Sequence, residues 1–136
     1  MLNADELLRG AGMRVTGPRV AVLTEVASSP HADVATIAAG ARRRLGSVST
    51  QAIYDVVNVL TELGLLRRIE LAGSPARFEM ANGDNHHHAV CRACGEIVDV
   101  PCATGAAPCL QPGTDTGYLV DEAEVTYWGL CPACRA

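Results

Sequence analysis

Residues 85–96, NHHHAVCRACGE, hold three of the four histidines and two of the six cysteines of a 136-residue chain. Imidazole nitrogen and thiolate sulfur are both good transition-metal donors. The stretch is therefore one metal site, two sites, or a solvated histidine run. Cys91-Arg-Ala-Cys94 is matched by Cys131-Pro-Ala-Cys134, a second C-x-x-C pair 36 residues further on. Each pair can place two thiolates on one ion through a tight turn, and Gly95 suits the turn after the first. Four thiolates complete a tetrahedral shell that favours Zn2+ and leaves no open position for catalysis. Thiol–disulfide exchange or an iron electron-transfer centre would use the same residues, but no thioredoxin-like pattern surrounds them. The linker exceeds the ~15–20 residues of common zinc-ribbon spacing, so strands in between must bring the two knuckles together.

The histidines obey a different geometry. On an extended strand, side chains alternate between faces, so His86 and His88 share one face and His87 points the other way. His86 and His88 then make half of a metal site, and His87 is expected to be replaceable. Candidates for the other ligands are His31, Glu79 and Asp99. Such a nitrogen and oxygen set suits Fe2+, Mn2+, Co2+ or Zn2+ better than a thiolate-seeking ion. It would draw on both halves of the chain, so metal binding would fix their relative orientation.

The elements that must position these residues change character along the chain. The first 64 residues read as helices. Asn3 with Glu6 forms a capping box, Thr16 and Pro18 open a second helix, Asp33 caps a third, and Ser49 caps a fourth that stops at Gly64. Apolar residues at helical spacing mark the inward faces: Val20, Val22, Leu23, Val26 and Ala27; Val34, Ile37, Ala38, Ala41 and Leu45; Ile53, Val56, Val57, Leu60 and Leu63. The period then shifts to two, and LLRRIEL, a turn at AGSP and ARFEM predict a two-stranded hairpin. Helices followed by a hairpin are the pattern of a winged helix-turn-helix, or of a small α+β domain with no nucleic-acid role. Residues 81–85 are the expected hinge between a domain at 1–80 and another at 86–136. Strands are expected near 86–91 and 96–100, with a long one near 117–128.

Charge divides at the same place. Residues 1–78 carry nine arginines against seven acids, and residues 79–136 carry two against eight; lysine is absent. The first half can face phosphate and the second can hold cations. A hydrophobic fraction of 49% excludes a disordered chain. No run nears the ~18 apolar residues of a membrane span, and the N-terminus lacks a signal-peptide core. A cytoplasmic protein is expected, in which cysteines serve metals or redox chemistry more readily than disulfides.

The segments GMRVTGPRVAVL, STQAIYDVVNVLTELGLLRRIE, ARFEM, HHHAVCRACGEIVDV and YWGLCPAC, in this order and spacing, resemble the ferric uptake regulator family over essentially the whole chain. The resemblance implies an α+β fold, an N-terminal winged helix that binds DNA followed by a small α/β dimerisation domain with a four-cysteine zinc site. Residue by residue, Cys91, Cys94, Cys131 and Cys134 match the structural zinc ligands. His31, Glu79, His86, His88 and Asp99 match the regulatory-metal positions, for Fe2+ or Mn2+. Asp99 is similar to the peroxide-sensing branch and Glu79 to the iron-uptake branch. A third metal site of some relatives lacks its matches, because His87 replaces a carboxylate and Glu122-Ala123-Glu124 has no histidine.

The implied DNA contacts are Arg14, Arg19, Ser49, Thr50, Gln51 and Tyr54. Asp55 departs from the polar or basic residue usual after the tyrosine; it accepts from cytosine or points away from DNA. Arg42, Arg43 and Arg44 either touch phosphates or end a solvated helix. Cys102 and Cys109 are either redox thiols or small buried residues. The function implied is a homodimeric repressor, not an enzyme, of a palindromic double-stranded operator controlling peroxide-stress genes. Metal loss or oxidation would release it. The alternative is a repressor of iron uptake or other metal homeostasis.

Overall fold

The computed structural model describes residues 2–71, 73–81, 86–102 and 111–136. Two compact units divide at Asn82 and Gly83. Residues 82–85 of the expected hinge lie outside the described residues.

The first unit contains α1 (Ala4–Gly10), α2 (Gly17–Ser28), β1 (Ala32–Asp33), α3 (Val34–Leu45), α4 (Thr50–Glu62), β2 (Leu66–Ile69) and β3 (Arg77–Met80). Each helix begins where a side-chain oxygen relieves unpaired first-turn amides. Asn3 accepts from the Glu6 N–H, Thr16 from Arg19, Asp33 from Thr36 and Ser49 from Ala52. The Thr36 N–H also holds the Asp33 carboxyl below its ordinary value. α4 stops at Gly64, whose φ of 78° is cheap only without a Cβ.

Leu8, Val22, Leu23, Val26, Ile37, Ile53, Val57 and Leu60 are fully buried and form the centre of the core. Three expected inward residues turn out differently. Ala27 is exposed at the end of α2, Leu45 at the end of α3, and Leu63 caps α4 at 46% exposure. Glu25 occupies an inward position on α2 instead, buried against α3.

The hairpin is part of a three-stranded antiparallel sheet of order β1-β3-β2. Ala32 pairs with Phe78 and Asp33 with Arg77, on the far side of β3 from β2. Two residues are too few to show a period of two, so β1 carried no sequence signal.

The second unit holds β4 (His86–Cys91), β5 (Ile97–Pro101) and β6 (Thr126–Gly129), in the order β5-β4-β6. Its described residues include no helix. The long strand expected near 117–128 shrinks to Thr126–Gly129. Before it, Asp115 Oδ1 accepts the Gly117 N–H at 2.9 Å and Thr116 Oγ1 the Tyr118 N–H at 3.4 Å. Short polar side chains thus satisfy backbone that a ladder would have used. β6 runs parallel to β4, pairing His88 with Thr126 through Cys91 with Gly129.

Candidate metal centres and nucleic-acid interface

The parallel register explains the long cysteine linker. Parallel neighbours need a crossover of a dozen or more residues, whereas a zinc ribbon closes through a hairpin. Because Cys91 ends β4 opposite Gly129, the second knuckle leaves β6 beside the first. The Arg92 N–H donates to the Gly129 carbonyl at 2.8 Å, and the Arg92 guanidinium lies 5.4 Å from the Trp128 ring centre. Within each knuckle the backbone turns back on its first cysteine: Gly95 N–H donates to Cys91 O and Arg135 N–H to Cys131 O.

The ligand atoms of Cys91, Cys94, Cys131 and Cys134 all lie within 4.8 Å of one another, with Cys94 and Cys131 sulfurs 3.8 Å apart. Tetrahedral zinc with bonds of ~2.3 Å requires sulfurs about 3.8 Å apart. The donor set fits that ion. Backbone N–H groups of Cys131 and Cys94 directed at Cys91 bring its thiol down to about 6. The sulfurs of Cys131, Cys91 and Cys94 push Cys134 up to about 12. At Cys94 the Glu96 N–H favours the thiolate, but Cys91, burial and Cys131 outweigh it and the thiol is raised. The Cys91 thiolate forms readily while Cys94 and Cys134 resist ionisation, which is the electrostatic demand a divalent cation answers.

The five nitrogen and oxygen candidates divide between the units. In the first, His31 Nε2 lies 3.4 Å from Glu79 Oε2, with both side chains largely buried. His31 adopts φ 72°, in the left-handed region. It is held there by its own N–H, which donates to Phe78 O at 2.9 Å, and by Arg77, which donates to its carbonyl at 3.1 Å. Backbone strain of this kind needs surroundings that enforce it. Arg67 approaches the other Glu79 oxygen at 3.9 Å.

In the second unit, His88 and Asp99 are register partners on β4 and β5, with His88 Nε2 3.5 Å from Asp99 Oδ1. His86 lies two residues before, opposite Pro101. His87 is turned to other work: buried at 4% exposure, its Nδ1 accepts the Val125 N–H at 3.2 Å. That removes the ground for calling it replaceable. A strand pattern gives a side chain's face but not what packs over that face. Cys102 follows β5 and is half-buried; Cys109 lies outside the described residues.

The candidate DNA residues lie at the start of α4 and about the start of α2, where Arg14 precedes the helix and Arg19 is in its first turn. Gln51, Tyr54 and Asp55 are exposed, and one helical turn aligns them on a single face. Gln51 Nε2 donates to Asp55 Oδ1 at 2.9 Å. Ser49 is the helix cap. Thr50 Oγ1 accepts from Arg42 at 2.6 Å, and Arg42 also reaches the Val48 carbonyl, fastening α3 to the turn before α4. Arg19 donates to the Arg14 carbonyl at 2.9 Å, leaving the Arg14 side chain exposed. The three arginines of α3 are not a free basic end, since Arg44 pairs with the Glu25 carboxylate at 2.7 Å and Arg43 approaches it at 4.0 Å.

A winged helix followed by a strand unit with a four-thiolate cluster defines a metal-linked transcription regulator. The sequence model of the ferric uptake regulator family matches residues 10–106, and the chain belongs to that family, whose members are not enzymes. It is 58% identical over 129 residues to the transcriptional regulator FurA of Mycobacterium tuberculosis, covering 95% of this chain and 88% of that one. The peroxide operon regulator of Bacillus subtilis is 28% identical over 142 residues, covering 97% and 91%. The Helicobacter pylori ferric uptake regulator Fur shares the fold, with a TM-score of 0.72 at 18% identity over 96% of this chain and 88% of that one. Among the described residues no helix is long and apolar enough to cross a membrane.

Proposed function

We propose that this chain is a homodimeric repressor that occupies a palindromic operator when Fe2+ or Mn2+ is held by His31, Glu79, His86, His88 and Asp99. Cys91, Cys94, Cys131 and Cys134 hold a structural Zn2+ in this reading. The observation that carries it is the pairing of a buried imidazole with a carboxylate in each unit: His31 with Glu79, and His88 with Asp99. Mixed nitrogen and oxygen donors suit Fe2+ and Mn2+, and four sulfurs suit zinc, so two metals are sorted by ligand type. An ion held by residues of both units makes DNA affinity depend on its presence, because half-site spacing depends on how the winged helices are held.

Dimerisation is supported by the apolar surface of the second unit, where Val98, Tyr127, Trp128 and Leu130 are between 41% and 54% exposed. Arg14, Arg19, Ser49, Thr50, Gln51 and Tyr54 are the DNA contacts of the reading.

For the signal, peroxide is favoured by the Asp99 carboxylate at the position where the peroxide-sensing branch carries aspartate. Ferrous iron bound by imidazoles can be oxidised, and oxidation of a ligand or loss of the ion frees the DNA. Cys102 is a second oxidisable group. Control by iron supply is the second reading, favoured by 52% identity to the ferric uptake regulation protein 1 of Mycolicibacterium fortuitum.

Gel-shift titrations with Fe2+, Mn2+ or no metal, before and after peroxide, test both. Metal-dependent binding lost by His88→Ala is expected, with peroxide releasing the Fe2+ form and sparing the Mn2+ form. Binding indifferent to metal would count against the whole reading, and a peroxide-resistant Fe2+ complex would leave the iron-supply reading alone.

A further inference from the structure

The residue after Tyr54 is an aspartate, an acid on the very face proposed to meet a polyanion. Its charge is poorly placed for phosphate, so a reason for it must lie in what it does to a neighbour. That neighbour is Gln51, one turn earlier, whose Nε2 donates to Asp55 Oδ1 at 2.9 Å. A carboxylate only accepts hydrogen bonds, so it can be faced only by the amide nitrogen. The glutamine's two otherwise interchangeable ends are thereby distinguished. One Nε2 hydrogen is spent on Asp55; the second hydrogen and the Oε1 acceptor remain.

A donor beside an acceptor is a pattern that only one base matches at the major-groove edge. Adenine offers an N7 acceptor and an N6 donor together. Guanine offers two acceptors, cytosine one donor, and thymine one acceptor and a methyl group. A free glutamine would have to be fixed in one rotamer and one amide orientation on binding. A glutamine already tied to Asp55 forgoes part of that ordering cost.

Resting on the DNA-binding reading above, we propose that Gln51 reads an A·T pair in the major groove of each half-site, its amide oriented by Asp55. Asp55 is a positioning residue and makes no base contact. Both side chains are exposed and outside the core, so substitutions there leave folding and zinc content intact.

The test selects duplexes from a random pool with the Mn2+-loaded protein, then replaces each base pair of one half-site singly and measures affinity. For the unaltered protein one A·T position should cost on the order of 10-fold or more when changed to G·C. Gln51→Ala should flatten the preference at that position and leave the others. Asp55→Ala should shrink it at the same position while raising affinity for all duplexes, because an acid facing phosphate has gone. Gln51→Arg, which can still pair with Asp55, should move the preference there to G·C, since arginine donates to both guanine acceptors. The proposal is overturned if Gln51→Ala keeps every base preference, or if Asp55→Ala instead abolishes a cytosine preference, which would make Asp55 the reader. Failure to enrich any duplex with Mn2+ over its absence would overturn the DNA-binding reading itself.

Discussion

At His87 the imidazole Nδ1 accepts the Val125 N–H at 3.2 Å, and one residue on, the His88 N–H donates to the Val125 carbonyl at 3.3 Å. Both polar groups of one peptide residue are thus fastened to β4 just before β6 begins. His87 therefore has a use that needs an acceptor at one position and bulk in a buried site, but no metal. His87→Leu keeps the bulk and strands the Val125 N–H, at a cost of about 1–3 kcal/mol. His87→Asn places its Oδ1 close to where Nδ1 sits and should retain most of the stability. Thermal melts of both variants, with Mn2+ titration of each, decide the matter. Equal stability of the two would show that the acceptor is irrelevant, and loss of Mn2+ stoichiometry in both would make His87 a ligand. The strand at 86–91 and the cysteine pair that follows it were legible in sequence because both rest on local spacing. The acceptor role was not, since Val125 lies 38 residues away.

Among the elements, the contact between α2 and α3 turns on Gly40. A Cβ added there would collide with the Glu25 carboxylate, which Arg44 holds against α3. Gly40 sits mid-helix, where alanine is ordinarily better by about 1 kcal/mol. Here the sign should reverse: Gly40→Ala is expected to destabilise by about 1–3 kcal/mol, as overpacking does. Adding Glu25→Ala to it should recover much of the loss, because the colliding group is gone. Chemical denaturation of the two single variants and the double variant measures that coupling; a more stable Gly40→Ala would refute the close approach. The helix starts were legible because Asn3, Thr16, Asp33 and Ser49 each cap through a local bond three residues long. The glutamate at an inward position, the pairing of β1 and the shortening of β6 all depend on partners distant in sequence. Periodicity carries no information about those.

The two units differ in how they can stay folded. All sixteen residues of the buried apolar cluster, from Ala4 to Phe78, lie in the first unit. In the second, the buried apolar residues among those described are Val90 and Cys91. A unit this small with so little apolar interior needs a staple, and the four-sulfur cluster joins the end of β4 to the chain beyond β6. Where a metal site supplies folding energy, removing the ion removes the fold it closes. Prolonged chelation should therefore raise hydrogen exchange throughout β4, β5 and β6 while α2, α3 and α4 keep their protection. Cys131→Ser should do the same without chelator, because it opens the shell. Acid should weaken the site too, because protons compete with the ion for the sulfurs. Restoring Zn2+ at neutral pH should restore protection in the chelated protein and not in the Cys131→Ser variant. Unchanged exchange in β4 after metal analysis shows the zinc to be gone would mean that the sheet stands on its own contacts, and the cysteine cluster would then need another purpose.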